Sequence, residues 1–382
     1  MKEKVYPRHI IRLSVAAFFF IYGFTFASWA SRIPHIQQQL KLSETQLGMV
    51  LFALPVGSFL SLPLSGWLVA KKGSRLILMI AALCYIITLV FIGNVSNVYQ
   101  LLIVLFAFGM AGNMGNISVN TQAVGVESHY EKPIMGTFHG IWSLAGFSGA
   151  AVGTFMIAHT IEPKYHFILV SIFCFLTGLS AFTFLIKRDK VPEGAHPMFA
   201  LPDRSLVVLG TIALCSMICE GAMFDWSGIY FTKVVKAPVA LVGAGYTAFM
   251  CTMAFSRFFS DHITSRIGFK KTIQLSGIII MSGLLIAVAF PFFYPSILGF
   301  LLVGAGVSSI IPQVYSSAGK SKKLSPGIAL ASVSSIGFLG FLLGPPLIGI
   351  LAGISSLRLS FTIIAFMGIL VTILISITKE KY

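Results

Sequence analysis

Twelve stretches of about 20 residues run nearly free of charge through this chain, separated by short polar connections. The hydrocarbon core of a bilayer is about 30 Å thick, which a helix of about 20 apolar residues crosses. Backbone N–H and C=O groups find no water there, so only helices and closed barrels can span it. These runs show no polar–apolar alternation and carry regularly spaced Gly, which favours helices over barrel strands. Composition excludes the alternatives. Hydrophobic residues make up 56% of the 382 and charged residues 10%, against about 25% charged in soluble domains. A cytosolic enzyme fold, a disordered chain and a small disulfide scaffold are all ruled out.

The expected spans are Ile10–Trp29, Thr45–Val69, Leu76–Ile92, Tyr99–Val126, Met135–His159, His166–Ile186, Leu206–Tyr230, Val239–Ile263, Thr272–Phe290, Ile297–Ser317, Ile328–Leu351 and Leu359–Ile377. The start imitates a signal peptide, with Lys2, Lys4, Arg8 and Arg12 before an apolar run. That run is too long and lacks a small-x-small cleavage site, so it is expected to be kept as the first span. The N-terminus, the even-numbered loops and the C-terminus carry 21 of the 27 Lys and Arg. The odd-numbered loops hold Arg32, Lys41, Lys164, Lys233, Lys236 and Arg358. By the positive-inside rule both termini are expected in the cytoplasm of a cell whose inner membrane holds the protein. The formal net charge of +15 is therefore topology, and no nucleic-acid partner is expected. Cys84, Cys174, Cys215, Cys219 and Cys251 lie in apolar runs without Cys-x-x-Cys spacing, as buried thiols and not disulfides or metal ligands.

The longest polar stretch, 187–204, contains Pro192, Gly194, Pro197 and Pro202 and reads as a cytoplasmic linker between two six-helix bundles, 1–186 and 205–382. A shift of 195 places Gly48 on Gly243, Gly73 on Gly268, Gly109 on Gly304 and Gly149 on Gly344; Trp29 meets Trp226 at 197. Parallel repeats around a central loop are a transporter architecture, with the solute expected near the midplane between them.

The chain resembles the major facilitator superfamily over essentially its whole length. Gly66-Trp67-Leu68-Val69-Ala70-Lys71-Lys72-Gly73-Ser74-Arg75 is similar to that family's loop signature, with Ala70 at the Asp position. A second copy runs from Arg257 through Asp261 and Arg266 to Gly268-Phe269-Lys270-Lys271 and keeps a carboxylate. The family's Arg in span four is absent, and its Gly-Pro motif lies in span eleven as Gly340-x-x-x-Gly344-Pro345-Pro346. Trp29-Ala-Ser-Arg32-Ile-Pro34, Glu127, Pro133-Ile-Met135, His139-Gly140, Glu220-Gly221 and Asp225-Trp226 resemble the MosC-like bacterial subgroup. The resemblance implies an all-α fold of twelve helices in two pseudo-symmetric bundles, working by alternating access. It also implies that Arg257 and Asp261 form part of a cytoplasmic lock, whose first-half counterpart Ala70 removes; a plain interfacial ion pair explains them equally.

Charge inside a bilayer costs about 2.5–3.5 kcal/mol even on permissive scales, so each such residue needs a reason. Glu220 lies about 21 Å into span seven at 1.5 Å per residue, with no sequence partner in view. It is expected to exchange protons and couple transport to a gradient, the alternative being a protonated structural Glu. Asp225 and Arg32 both fall about 30 Å from the inner face. They are expected to pair as an outer gate, unless each merely reaches water; Asp225 is a further proton-coupling candidate. Asn113, Asn116 and Asn120 share one face of span four, with Glu127 at its end. They are expected to line a wet cavity for a hydroxyl- or amide-bearing solute, or else to bridge helices. His139, Trp142 and Ser143 in span five, and Gln313, Tyr315 and Tyr246 further on, are weaker binding candidates. Trp29 and Trp226 read as interfacial belt residues. Gly146, Gly149, Gly153, Gly340, Gly344 and Gly349 are expected to admit close helix approach.

No nucleotide site is present: Gly319-Lys320-Ser321 has Val314 where a phosphate loop starts, and Gly304-Ala-Gly306 has Ser309 at the third Gly. No cofactor or metal is expected, and no nucleophile–base constellation marks an enzyme. The expectation is a monomeric secondary transporter for a small polar solute such as a sugar, polyol or metabolite, with protons as partner. The alternatives are a drug or metabolite exporter and, remotely, a non-transporting receptor or scaffold.

Overall fold

The structure is a computed structural model that describes residues 6–127, 129–130, 134–187, 204–318 and 326–377. The described residues are helical throughout, without strands. Twelve helical segments are long and apolar enough to cross a membrane; the chain is a multi-pass membrane protein. Most of the 187–204 linker lies outside the described residues.

The first unit contains α1 (Arg8–Ser31), α4 (Ala53–Lys72), α5 (Ser74–Ile92), α6 (Val98–Glu127), α7 (Met135–Ala158) and α8 (Pro163–Phe182). In it α1 packs on α7, α4 on α6, and α5 on α6 and α8. Its aromatic centre is the Tyr85–Phe108 stack at 4.0 Å, with Tyr22 5.1 Å from Tyr85. The second unit contains α9 (Arg204–Lys233), α10 (Ala244–Ile267), α11 (Phe269–Ala289), α12 (Phe293–Ala318), α13 (Pro326–Ile354) and α14 (Leu357–Ile377). There α9 packs on α13, α10 on α12, and α11 on α12 and α14. The same pairings recur, helix for helix. With 78% of its span buried, against 33–61% for the other spans, α9 is the core of its unit.

Span two is not one helix. It divides at Phe52 into α3 (Glu44–Leu51) and α4, and α3 follows the short α2 (Ile33–Gln39). Ser43 and Gln46 form a capping box that starts α3. By packing, residues 36–52 belong to the second unit, so the division differs from the expected 1–186. The cause is a close fit on α13. A Cβ on Gly349 would lie 2.7 Å from the Glu44 carbonyl oxygen and 2.8 Å from the Gly48 Cα. Thr45 Oγ1 donates to the Gly349 carbonyl at 3.2 Å, and Lys233 at the end of α9 pairs with Glu44.

The repeat at 195 is visible in the backbone. Gly73 and Gly268 have φ/ψ of 86°/146° and 87°/155°, each just ahead of the next helix. Lys41 and Lys236 are also 195 apart, and both are left-handed, at φ 53° and 55°. Gly109 lies against the Leu54 carbonyl and Gly304 against the Phe249 carbonyl, again at that offset, so a Cβ at either would collide. The other two coincidences differ. Gly48 packs on α13 whereas Gly243 precedes α10, and Gly149 lies against the Phe24 carbonyl whereas Gly344 has nothing within 4 Å of a Cβ. Gly344 is therefore no close-approach residue, contrary to expectation. Gly153, Gly340 and Gly349 are.

Candidate functional site

Four helices of the second unit bring polar side chains together. Glu220, 5% exposed, comes from the middle of α9 and accepts from Arg257 of α10, Nη2–Oε1 3.4 Å. Tyr315 of α12 is hydrogen-bonded to Ser334 of α13 and within electrostatic reach of Glu220. One turn from Arg257 on the same helix, Ser260 Oγ accepts from Gln313 Nε2 of α12 at 3.5 Å. Phe224 and Phe341, stacked at 6.2 Å, continue the α9–α13 contact beside this group. The sequence showed no partner for Glu220; the structure gives it one. Arg257 lies a little past the middle of α10, and its guanidinium reaches the carboxylate on α9. The partner expected for Arg257 was Asp261, whose side chain lies outside the described residues.

The ion pair is loose. Charge-assisted N–H···O bonds are typically about 2.7–2.9 Å, and Arg–carboxylate pairs are commonly bidentate. Here one N–O contact joins side chains that are 16% and 7% exposed. Such a pair keeps two charges inside a bilayer at modest attraction, a poor arrangement for stability.

The first unit holds a different arrangement. Arg32, 1% exposed at the end of α1, donates from Nε to His166 Nδ1 at 3.1 Å and from Nη2 to the Ile161 carbonyl at 2.8 Å. Burial lowers the Arg32 guanidinium to about 10. Arg32 and Asp225 belong to different units, and both of these bonds are made inside the Arg32 unit. Nearby His35 is held below the usual imidazole range by burial and by the Arg32 charge. The hydrogen bond and charge of Lys164 hold the exposed Glu162 carboxyl low.

The amide face of α6 is divided. Asn113 Nδ2 donates to Ser61 Oγ of α4 at 2.9 Å, which is the helix-bridging role. Asn120 Nδ2 donates to the carbonyl and Oδ1 of Asn116 within the helix, and Asn116 is exposed. Glu127 Oε2 accepts from Ile134 N at 2.6 Å and Met135 N at 2.9 Å, capping α7 with a carboxylate where the helix dipole favours one. His139 is exposed and lies edge-on to Phe19, and Trp142 is 6.4 Å from Phe26. Trp29 and Trp226 are not belt residues: at 1% and 0% exposure, their indole N–H groups lie in the packed interior. Sequence reasoning missed Gln122. Its amide joins Ser74 Oγ at 2.7 Å and both backbone groups of Ile186 at 2.9 Å. A Gln in the last turns of an otherwise largely apolar span was the available signal.

Residues 13–325 match the family model of the Major Facilitator Superfamily. The chain belongs to the major facilitator superfamily. It is 28% identical over 366 residues to an uncharacterized MFS-type transporter of Yersinia pestis, covering 96% of this chain and 95% of the relative. It is 29% identical to the membrane protein MosC of Rhizobium meliloti, covering 96% and 89%. In fold it matches the nucleoside transporter NupG with a TM-score of 0.77 at 14% identity, over 97% of this chain and 100% of that one. The family consists of transporters and not enzymes.

Proposed function

We propose that this superfamily member is a secondary active transporter that moves a small polar solute by alternating access and couples it to protons through Glu220. The carrying observation is the buried Glu220–Arg257 pair at the heart of α9, the most enclosed span. A carboxylate at that depth marks a functional site, and one whose charge state changes during the cycle would couple protons to transport. Tyr315, Gln313 and the α6 amides Asn116 and Asn120 supply donors and acceptors for a polar cargo; Asp225 and Arg32 remain candidates for a gate. The distribution of Lys and Arg supports cytoplasmic termini and an inner-membrane location.

The experiment has two stages. A thermal-shift screen of the purified protein against sugars, polyols, sugar acids, nucleosides and lipophilic cations identifies the class of cargo. Stabilisation by lipophilic cations alone contradicts the polar-solute reading and favours an exporter. Flux of the hit into proteoliposomes under an imposed pH gradient then tests coupling.

A further inference from the structure

We propose that the Arg32–His166 bond is an acid-released latch, which holds the end of α1 to the start of α8 near neutral pH and opens when the imidazole takes a second proton. The latch does not depend on the coupling role of Glu220. Arg32 Nε donates to His166 Nδ1 at 3.1 Å. A guanidinium has donors only, so Nδ1 carries no proton and the ring is the neutral Nε2–H tautomer. A second proton can enter only at Nδ1. There it meets the Arg32 N–H, donor against donor and cation against cation. The bond and the second proton exclude each other. The open state binds that proton and the closed state does not, so lowering the pH favours opening. His166 is 0% exposed and its Nε2 has no partner. An unpaired buried N–H costs free energy, and opening to water removes that cost.

The surroundings offer nothing that offsets the added charge. Among the described residues no carboxylate pairs with Arg32 or His166. Glu162, the nearest acid in sequence, is engaged by Lys164 at 2.8 Å. The residues of this unit outside the described ones adjoin the start of α1, the end of α6 and the end of α8, at the opposite ends of the helices. α8 packs on α1 and α5, and Gly153 of α7 lies beside the ring. On α5 Arg75 bonds the Phe182 carbonyl at the far end of α8, Tyr85 is stacked on Phe108, and Cys84 is exposed. The titratable residue of α7 is His139, at its other end. The α7–α8 connection and the first turn of α8 carry His159, Glu162, Lys164 and Tyr165, and α2 carries His35. Of these groups Arg32 is the charge that acts on His166. The second Arg32 bond, to the Ile161 carbonyl, runs to the same connection. The chain enters the second unit at Ile36, four residues after Arg32, so release acts on the connection through which α1 leads to α3.

The test is hydrogen exchange of the full-length protein in detergent at about pH 7.5 and about pH 5.5. Exchange is read by mass spectrometry in segments 27–36 and 161–170 and corrected for the intrinsic effect of pH on its rate. Wild type is expected to lose about tenfold of its protection in both segments at the lower pH, the factor by which proton uptake by a freed imidazole of about 6.5 favours the open state over that interval. A segment of α11 is expected to change little. His166→Asn is expected to keep its protection at both pH values, because Oδ1 takes the place of Nδ1 and does not titrate. Arg32→Ala is expected to show low protection at both. His35→Gln, an exposed change, is expected to respond as wild type does. A wild type whose two segments ignore the pH overturns the latch. So does the tenfold loss in His166→Asn or Arg32→Ala, or its absence from His35→Gln. The last two variants keep the decision available if His166→Asn does not fold.

Discussion

At the scale of single residues, the buried charges divide into two kinds. Arg32 is held by neutral acceptors, the His166 ring and the Ile161 carbonyl, and joins the end of α1 to the start of α8. Hydrogen bonds to charged groups contribute about 1.5–3 kcal/mol, so Arg32→Ala and His166→Ala are expected to couple by about that much in a double-mutant cycle of unfolding. Strict additivity would remove the bond from the account. Arg257, by contrast, faces a carboxylate through one long contact. The two Arg residues look alike in sequence, each beside an apolar run. Sequence position marked Arg32 as an expensive charge, whereas Arg257 read as part of a cytoplasmic lock or an interfacial ion pair; depth along the helix singled out Glu220. It did not show that Arg257 reaches Glu220, because helix spacing relates residues of one span and not residues 37 positions apart on neighbouring helices. Asn113 shows the same limit: its face was legible, but not that Ser61 lies opposite.

At the scale of helices, the repeat of 195 residues has a steric meaning where carbonyls touch glycines. Gly109 and Gly304 admit the Leu54 and Phe249 carbonyls at equivalent points of the α4–α6 and α10–α12 contacts. Gly109→Ala and Gly304→Ala are each expected to destabilise by about 1–3 kcal/mol, the usual cost of overpacking. Gly344→Ala, with open space around its Cβ, is expected to change the melting temperature little. Equal effects of all three in thermal unfolding would contradict this reading. The four coincidences were legible as a period, but only packing distinguishes Gly304 from Gly344. The break of span two at Phe52 was not legible, since Leu51-Phe52-Ala53 is as apolar as its flanks. α3 is held on α13 by the fit of Gly48 on Gly349, a contact across about 300 residues. The exposed part of that fit, the Lys233–Glu44 pair, is expected to contribute no more than about 1 kcal/mol, so Lys233→Ala is expected to leave stability nearly unchanged in the same assay.

At the scale of the whole molecule, membrane residence, twelve spans and superfamily membership were all readable from the apolar runs and a few loop motifs. Transfer energy fixes the number and length of spans, and neither depends on distant contacts. Cargo is different. In the function proposed here it depends on which side chains four helices bring together around Glu220, and that arrangement emerges only in the folded unit. The central claim is that Glu220 carries the coupling proton. The most direct measurement follows internal pH in proteoliposomes while the cargo found by thermal shift is added outside. Wild type is expected to move protons with the solute and to accumulate solute under an imposed pH gradient. Glu220→Gln is expected still to exchange solute across the membrane, but to move no protons and to ignore the gradient. Gradient-driven accumulation retained by Glu220→Gln would contradict the account.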